Sequence, residues 1–111
     1  MDVVRKKFCT KSVIYKDSIV LYSSQNAIEV IKFCATINKK IYGLDAFKLV
    51  DSGIKPFLEF STDYSCDETV KVYEKAINHI QELFDKNLYF EIVYEGYSAW
   101  KKVYEQWTSG G

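Results

Sequence analysis

Apolar positions in this chain follow two spacings, and the places where one gives way to the other outline its elements. Ile19-Val20-Leu21-Tyr22 is a short, continuously apolar and partly β-branched run, suited to a strand covered on both faces. Ser23-Ser24 then offers an N-cap. Ala27, Ile31, Cys34 and Asn38 follow on one helical line with Ile28 and Ala35 beside it, which predicts a helix over about 25–39. Ile41–Val50 reads as a strand, Asp51-Ser52-Gly53 as a turn and Ile54–Thr62 as the returning strand. On that return Ile54, Pro56, Leu58 and Phe60 point one way, and Lys55, Phe57, Glu59 and Ser61 the other. Pro56 donates no ladder hydrogen bond, so it belongs near the strand's start or beside a bulge.

Ser65-x-x-Glu68 reads as a capping box, with Asp67 and Glu68 complementing the dipole of the helix it opens. Val70, Tyr73, Ala76, Ile77, Ile80, Leu83 and Phe84 continue that helix at helical spacing. Leu88–Glu95 is the last clear strand: Leu88, Phe90, Ile92 and Tyr94 alternate with Tyr89, Glu91, Val93 and Glu95. Trp100, Val103, Tyr104 and Trp107 fall at i, i+3, i+4 and i+7 and predict a short amphipathic C-terminal helix. Its aromatic stripe either docks on the core or makes a partner or self-association contact. Val3–Tyr15 is ambiguous between a strand and a hairpin.

This order predicts an α+β fold, a split β-α-β-β-α-β antiparallel sheet with both long helices on one face, plus the short C-terminal helix. One proline and few glycines leave little room for a linker, so residues 1–108 are expected to form a single domain. Ser109-Gly110-Gly111 has no structural logic and reads as a tail, the remnant of a linker or tag.

If both helices cover one face, the other is open to solvent or to a partner. Alternation assigns Phe57, Glu59, Ser61 and Asp63 to it from one strand and Tyr89, Glu91, Val93 and Glu95 from another, with Asp45 joining them. That mixture of aromatic and acidic groups fits a protein interface, in which Tyr and Phe anchor and dispersed charges steer. A solvated sheet face has a similar composition.

Composition narrows the classes. With 111 residues, 48% hydrophobic and 16% aromatic, the chain can bury a core and is no disordered segment. Fifteen Lys and Arg against fifteen Asp and Glu leave no basic excess for coating nucleic acid. The neutrality hides a division. Residues 1–56 hold ten bases and five acids, and residues 57–97 hold nine acids and three bases. An acidic later half suits a basic partner, unless folding intermixes the two halves. Asp2-Val3-Val4-Arg5-Lys6-Lys7 after Met1 is not a signal peptide. The longest apolar runs are about four residues, far short of the roughly 20 a membrane span needs. Cys9, Cys34 and Cys66 are odd in number, widely spaced and without a C-x-x-C, which points to reduced thiols in the cytoplasm.

Candidate chemistry is sparse. His79, the one histidine, lies beside the apolar stripe of the second helix with no nucleophile or orienting partner nearby, and reads as structural or exposed. Cys66 with Asp63, Asp67 and Glu68 lacks the paired Cys/His spacing of a metal site. No phosphate-binding glycine loop and no G-x-S-x-G occurs. We expect no catalytic, cofactor or metal residues. Tyr89 and Phe57 could stack bases, but their acidic neighbours would repel phosphate.

Ala27-Ile28-x-x-Ile31, Ile41-x-Gly43-x-Asp45-Ala46-Phe47, Pro56-x-x-Glu59-x-Ser61-x-Asp63-Tyr64-Ser65 and Phe90-Glu91-Ile92-Val93, taken together, resemble bacterial immunity proteins. Those proteins neutralise polymorphic toxins, including toxins of contact-dependent growth inhibition. The pattern is most similar to the immunity family numbered forty and covers about residues 24–95. The resemblance implies a small cytoplasmic antidote that occludes its cognate toxin, with no catalysis and no cofactor; the toxins vary, so the target activity does not carry over. With the acidic segment, it points to a basic nuclease toxin as partner. Asp45, Phe57, Glu59, Asp63, Tyr89, Glu91 and Glu95 are the candidate contacts. No direct nucleic acid, no membrane, and a monomer or weak dimer are expected. The alternative is a small-molecule-sensing or regulatory α+β module that oligomerises.

Overall fold

The computed structural model describes residues 3–15, 19–51 and 53–97. In chain order the elements are helix α1 (Val3–Lys7), strand β1 (Val13–Tyr15), β2 (Ile19–Ser23), helix α2 (Ser24–Thr36), β3 (Ile41–Val50), β4 (Gly53–Pro56), β5 (Thr62–Asp63), helix α3 (Thr69–Glu82) and β6 (Tyr89–Tyr94). The predicted C-terminal helix with Trp100, Tyr104 and Trp107 lies outside the described residues. The ambiguous N-terminus resolves into a short helix and a strand hairpinned onto β2.

The sheet is antiparallel, in the order β1-β2-β6-β3-β4, with β5 also pairing β3. β2 and β3 both run antiparallel to β6, so they are parallel to each other with β6 between them. By the same logic β4 and β6 are parallel, with β3 between them. The two β-α-β units are therefore interleaved, each straddling one strand of the other, as the split pattern predicts. α2 and α3 pack on one face of this sheet.

That face holds the core. α2 buries Ala27, Ile28, Val30, Ile31 and Cys34, and α3 buries Val72, Ala76 and Ile80. They meet Val20, Tyr22, Leu44, Ala46, Phe90, Ile92 and Tyr94 from the strands. Val4 and Phe8 close one end, where Phe8 packs edge-on against Tyr22 and Phe33. Cys34 is a core thiol, while Cys9 and Cys66 are exposed and unpaired with each other.

The register of β3 shifts once. Ile41 opposes Tyr94 and Gly43 opposes Val93, so Tyr42 is an extra residue against one partner, a β-bulge. The bulge is why Ile41 shares the core with Leu44 and Ala46 although the count between them is odd. It leaves Tyr42 exposed with its carbonyl accepting the Tyr64 N–H at 2.7 Å.

Three sequence expectations are corrected. The return from the Asp51–Gly53 turn is not one strand over Ile54–Thr62. The ladder stops at Pro56, Leu58–Phe60 form a 3-10 turn, and pairing resumes at Thr62. Ser61 bridges the last rung: its hydroxyl accepts the Ala46 N–H at 3.0 Å and donates to the Phe57 carbonyl at 3.3 Å, standing between two groups that a continued strand would bond directly. Ser65 does not cap α3, which starts at Thr69 with Glu68 in the cap position and no side-chain cap bond. The buried stripe of α3 runs through Val72, and Val70 is exposed.

Candidate functional site

The sheet face away from α2 and α3 carries the opposite residues of each strand. Asp45 and Phe47 of β3 stand directly opposite Glu91 and Tyr89 of β6, and Ser23 of β2 is opposite Tyr89. Alternation therefore placed Asp45, Tyr89 and Glu91 together, as expected. The remaining candidates scatter.

Phe57 lies on the other side. Its N–H bonds the Ala46 carbonyl at 2.8 Å, and its ring packs on the core and on Phe60, with centroids 6.1 Å apart. The ammonium groups of Lys55 and Lys86 cap these two rings at 5.6 and 5.5 Å. Glu59 is exposed in the 3-10 turn, where strand alternation has no meaning. Glu95 has left the strand. Its carboxylate accepts the Lys40 N–H at 3.4 Å, and its carbonyl accepts from Lys39 Nζ at 3.1 Å. Asp63, exposed on β5, accepts the Ser65 N–H at 2.9 Å, and this bond holds its carboxyl below the ordinary value.

Glu91 is not a surface charge. It is 7% exposed, because the chain turns back after β6 and lays Tyr97 over it. Gly96, at φ +85°, permits the turn, and the Tyr97 N–H returns to the Tyr94 carbonyl at 3.0 Å. The Tyr97 hydroxyl donates to Glu91 Oε2 at 2.7 Å and accepts the Val20 N–H at 3.2 Å. It fills a break in the sheet: the β2–β6 ladder ends at Tyr22 opposite Phe90, and Val20 beyond that point gives its N–H to the phenol. Leu21, on the same face as Glu91, is fully buried.

Asp45 and Glu91 stand directly opposite each other, and each carboxyl acts on the proton affinity of the other. Burial is the main reason a proton stays. It pushes Glu91 up to about 7, against the pull of the Tyr97 hydroxyl and with the neighbouring Asp45 adding to the rise. Burial also raises Asp45, which the hydrogen bond from Glu91 partly offsets. Tyr97, buried beside a carboxylate, is pushed far up and keeps its proton. The cluster can therefore exchange one proton near neutrality, held on Glu91.

Beside this cluster the face opens into a hollow of about 1010 Å³. Tyr42, Asp45, Asp63, Val93 and Tyr97 contribute to its walls. The bulge at Tyr42 and the close approach of β5 to Gly43 shape its far side. Sequence reading missed Tyr42 and Tyr97. The Glu95-Gly96 pair after an alternating strand was the available signal that the chain reverses there.

His79 lies away from this hollow. Its Nε2–H donates to the Phe60 carbonyl at 2.6 Å, pinning the 3-10 turn to α3. Among the described residues, no group of three or more His, Cys, Asp and Glu side chains is arranged to hold a metal ion, and no helix is long and apolar enough to cross a membrane. Comparison of the chain with protein-family models, with curated proteins and with solved structures returned no match.

Proposed function

We propose that this chain is an immunity protein of the cytoplasm, which binds a cognate bacterial toxin domain, a basic nuclease, and blocks its active site. The observation that carries the reading is the hollow on the helix-free face, where carboxylates stand among tyrosines. Asp45 and Asp63 line it with Tyr42, Tyr97 and Val93, and Glu91 lies beneath. Aromatic anchors around acidic groups suit an inserted basic side chain of a protein partner. The resemblance of residues 24–95 to immunity proteins supports the same reading. No catalytic step is assigned to the chain, which acts by occupying its partner.

The test is to mix the purified protein with the toxin encoded immediately upstream of its gene and measure binding by calorimetry. A complex that suppresses toxicity is expected. Asp63→Lys combined with Tyr42→Ala should weaken it at least about tenfold, corresponding to roughly 1.4 kcal/mol or more. Absence of a complex, with toxicity unchanged, would sink the proposal.

The volume of the hollow favours a second reading, a small-molecule-sensing module. Ligand sites commonly enclose about 300–1,000 Å³, and this one is of that size. A ligand-dependent rise in Tm with no protein partner present would favour it.

A further inference from the structure

The buried pair on the sheet face has a geometry that a static structural role does not require. Asp45 and Glu91 are direct cross-strand partners on the helix-free face, and Glu91 is buried there. A phenol from beyond the strand end donates to one of them. The same phenol stands in for the ladder bond that β2 and β6 do not make at Val20. Two walls of the hollow, Asp45 and Tyr97, are thus joined through Glu91.

We propose that Asp45, Glu91 and Tyr97 form a proton-operated latch: with one proton held on Glu91, Tyr97 is fixed across the β2–β6 gap, and with that proton lost the Tyr97–Glu91 bond opens and the wall of the hollow moves. This inference does not depend on the identity of any partner. The physical cause is the pairing of like charges. Two ionised carboxylates directly opposite each other, one of them buried, repel strongly and are poorly solvated. Glu91 relieves both penalties by turning its carboxylate into the hollow. The turn removes the acceptor of the Tyr97 hydroxyl and leaves the ring tied only through the Val20 N–H.

The groups facing Glu91 are consistent with a single transition. Asp45 comes from β3 and raises it, and Tyr97 comes from the returning chain and lowers it. β2 presents apolar Leu21 directly, with Tyr22 acting on the Tyr97 phenol. Along β6 itself the same face carries Tyr89 and Val93. The carboxyl of Glu91, held at about 7, sets the transition close to neutrality.

The experiment uses the labelled full chain in solution. The Val20 amide and the Tyr97 ring are followed by NMR from about pH 5.5 to 8.5, a window centred on the expected neutral titration. Both resonances should titrate together, and protection of the Val20 amide, corrected for intrinsic exchange, should fall up to about tenfold per pH unit as the midpoint is approached from below and level off above it. Glu91→Gln, which mimics the protonated acid, should keep the latch closed and abolish the pH response. Asp45→Asn removes the repulsion from the other strand and should move the midpoint to lower pH. It reports on the latch even if Glu91→Gln fails to fold. Resonances of Val20 and Tyr97 that stay flat across the range, or that titrate unchanged in either variant, would overturn the proposal.

Discussion

A Cβ built on Gly43 would stand 2.8 Å from the backbone carbonyl oxygen of Thr62, so β5 lies against β3 only because residue 43 has no side chain. Gly43 is opposed by Asp63 on one side and Val93 on the other, which makes it a point where three strands meet. Gly43→Ala must push β5 outward or bend β3. We expect a loss of about 1–3 kcal/mol, the usual cost of overpacking, read as a lower denaturation midpoint at unchanged m-value.

Tyr97→Phe keeps the ring and removes the hydroxyl. Buried Glu91 loses a donor, and the Val20 N–H loses its acceptor. Leaving such groups unpaired costs about 1–3 kcal/mol. Urea unfolding should report it, and a variant as stable as the parent would mean that water takes the place of the phenol.

Stability should decline from mildly acidic to neutral pH. Glu91 is raised in the folded protein from 4.5 to about 7. The folded state therefore binds more protons than the unfolded chain between those values. Its contribution is complete below the unfolded value and lost as pH rises through the folded one, a change of up to about 3 kcal/mol. Asp63, whose carboxyl is lowered, works in the opposite sense, and only at the acid end, as pH falls from its ordinary 3.8 through the lower folded value. Thermal melts in a pH series should show the neutral-side decline in the parent and its absence in Glu91→Gln.

Ser61→Ala removes the acceptor of the Ala46 N–H where the β3–β4 ladder ends. A loss of about 1–3 kcal/mol is expected. His79→Ala, which frees the Phe60 carbonyl at the other end of the same turn, should cost about 1 kcal/mol. Neither change touches the hollow, so binding at saturating folded fraction should be unaltered. A lost complex would place this turn in the interface.

Much of the frame was legible in the sequence, because repeated spacings report which side of an element is buried. β3 has the boundaries read for it, and β6 buries Phe90, Ile92 and Tyr94 as alternation required. Alternation fails where the backbone departs from the strand. Leu58–Phe60 leave the strand as a turn, with the Ser61 hydroxyl taking the Ala46 N–H, so the face assigned to Glu59 has no counterpart and Phe57 packs on the opposite side. Glu91 illustrates a different limit. Its face was read correctly, but its burial depends on Tyr97 crossing over it, and on Asp45 being its partner in register. Both are tertiary facts, and no local pattern encodes them.

The interleaving of the two β-α-β units also dictates an order of assembly. The strand that joins β2 to β3 is β6, the last strand of the described chain. Until residue 94 is available, β2 and β3 each present an unpaired edge, and neither helix has a complete sheet to cover. On a ribosome the chain must therefore carry two open edges from the completion of β3 until β6 emerges. Closure then comes in one step, as a strand inserts between two that already stand apart. Contacts of such long sequence separation slow folding, which makes the arrival of Tyr89–Tyr94, rather than the formation of either helix, the event that commits the protein to its structure.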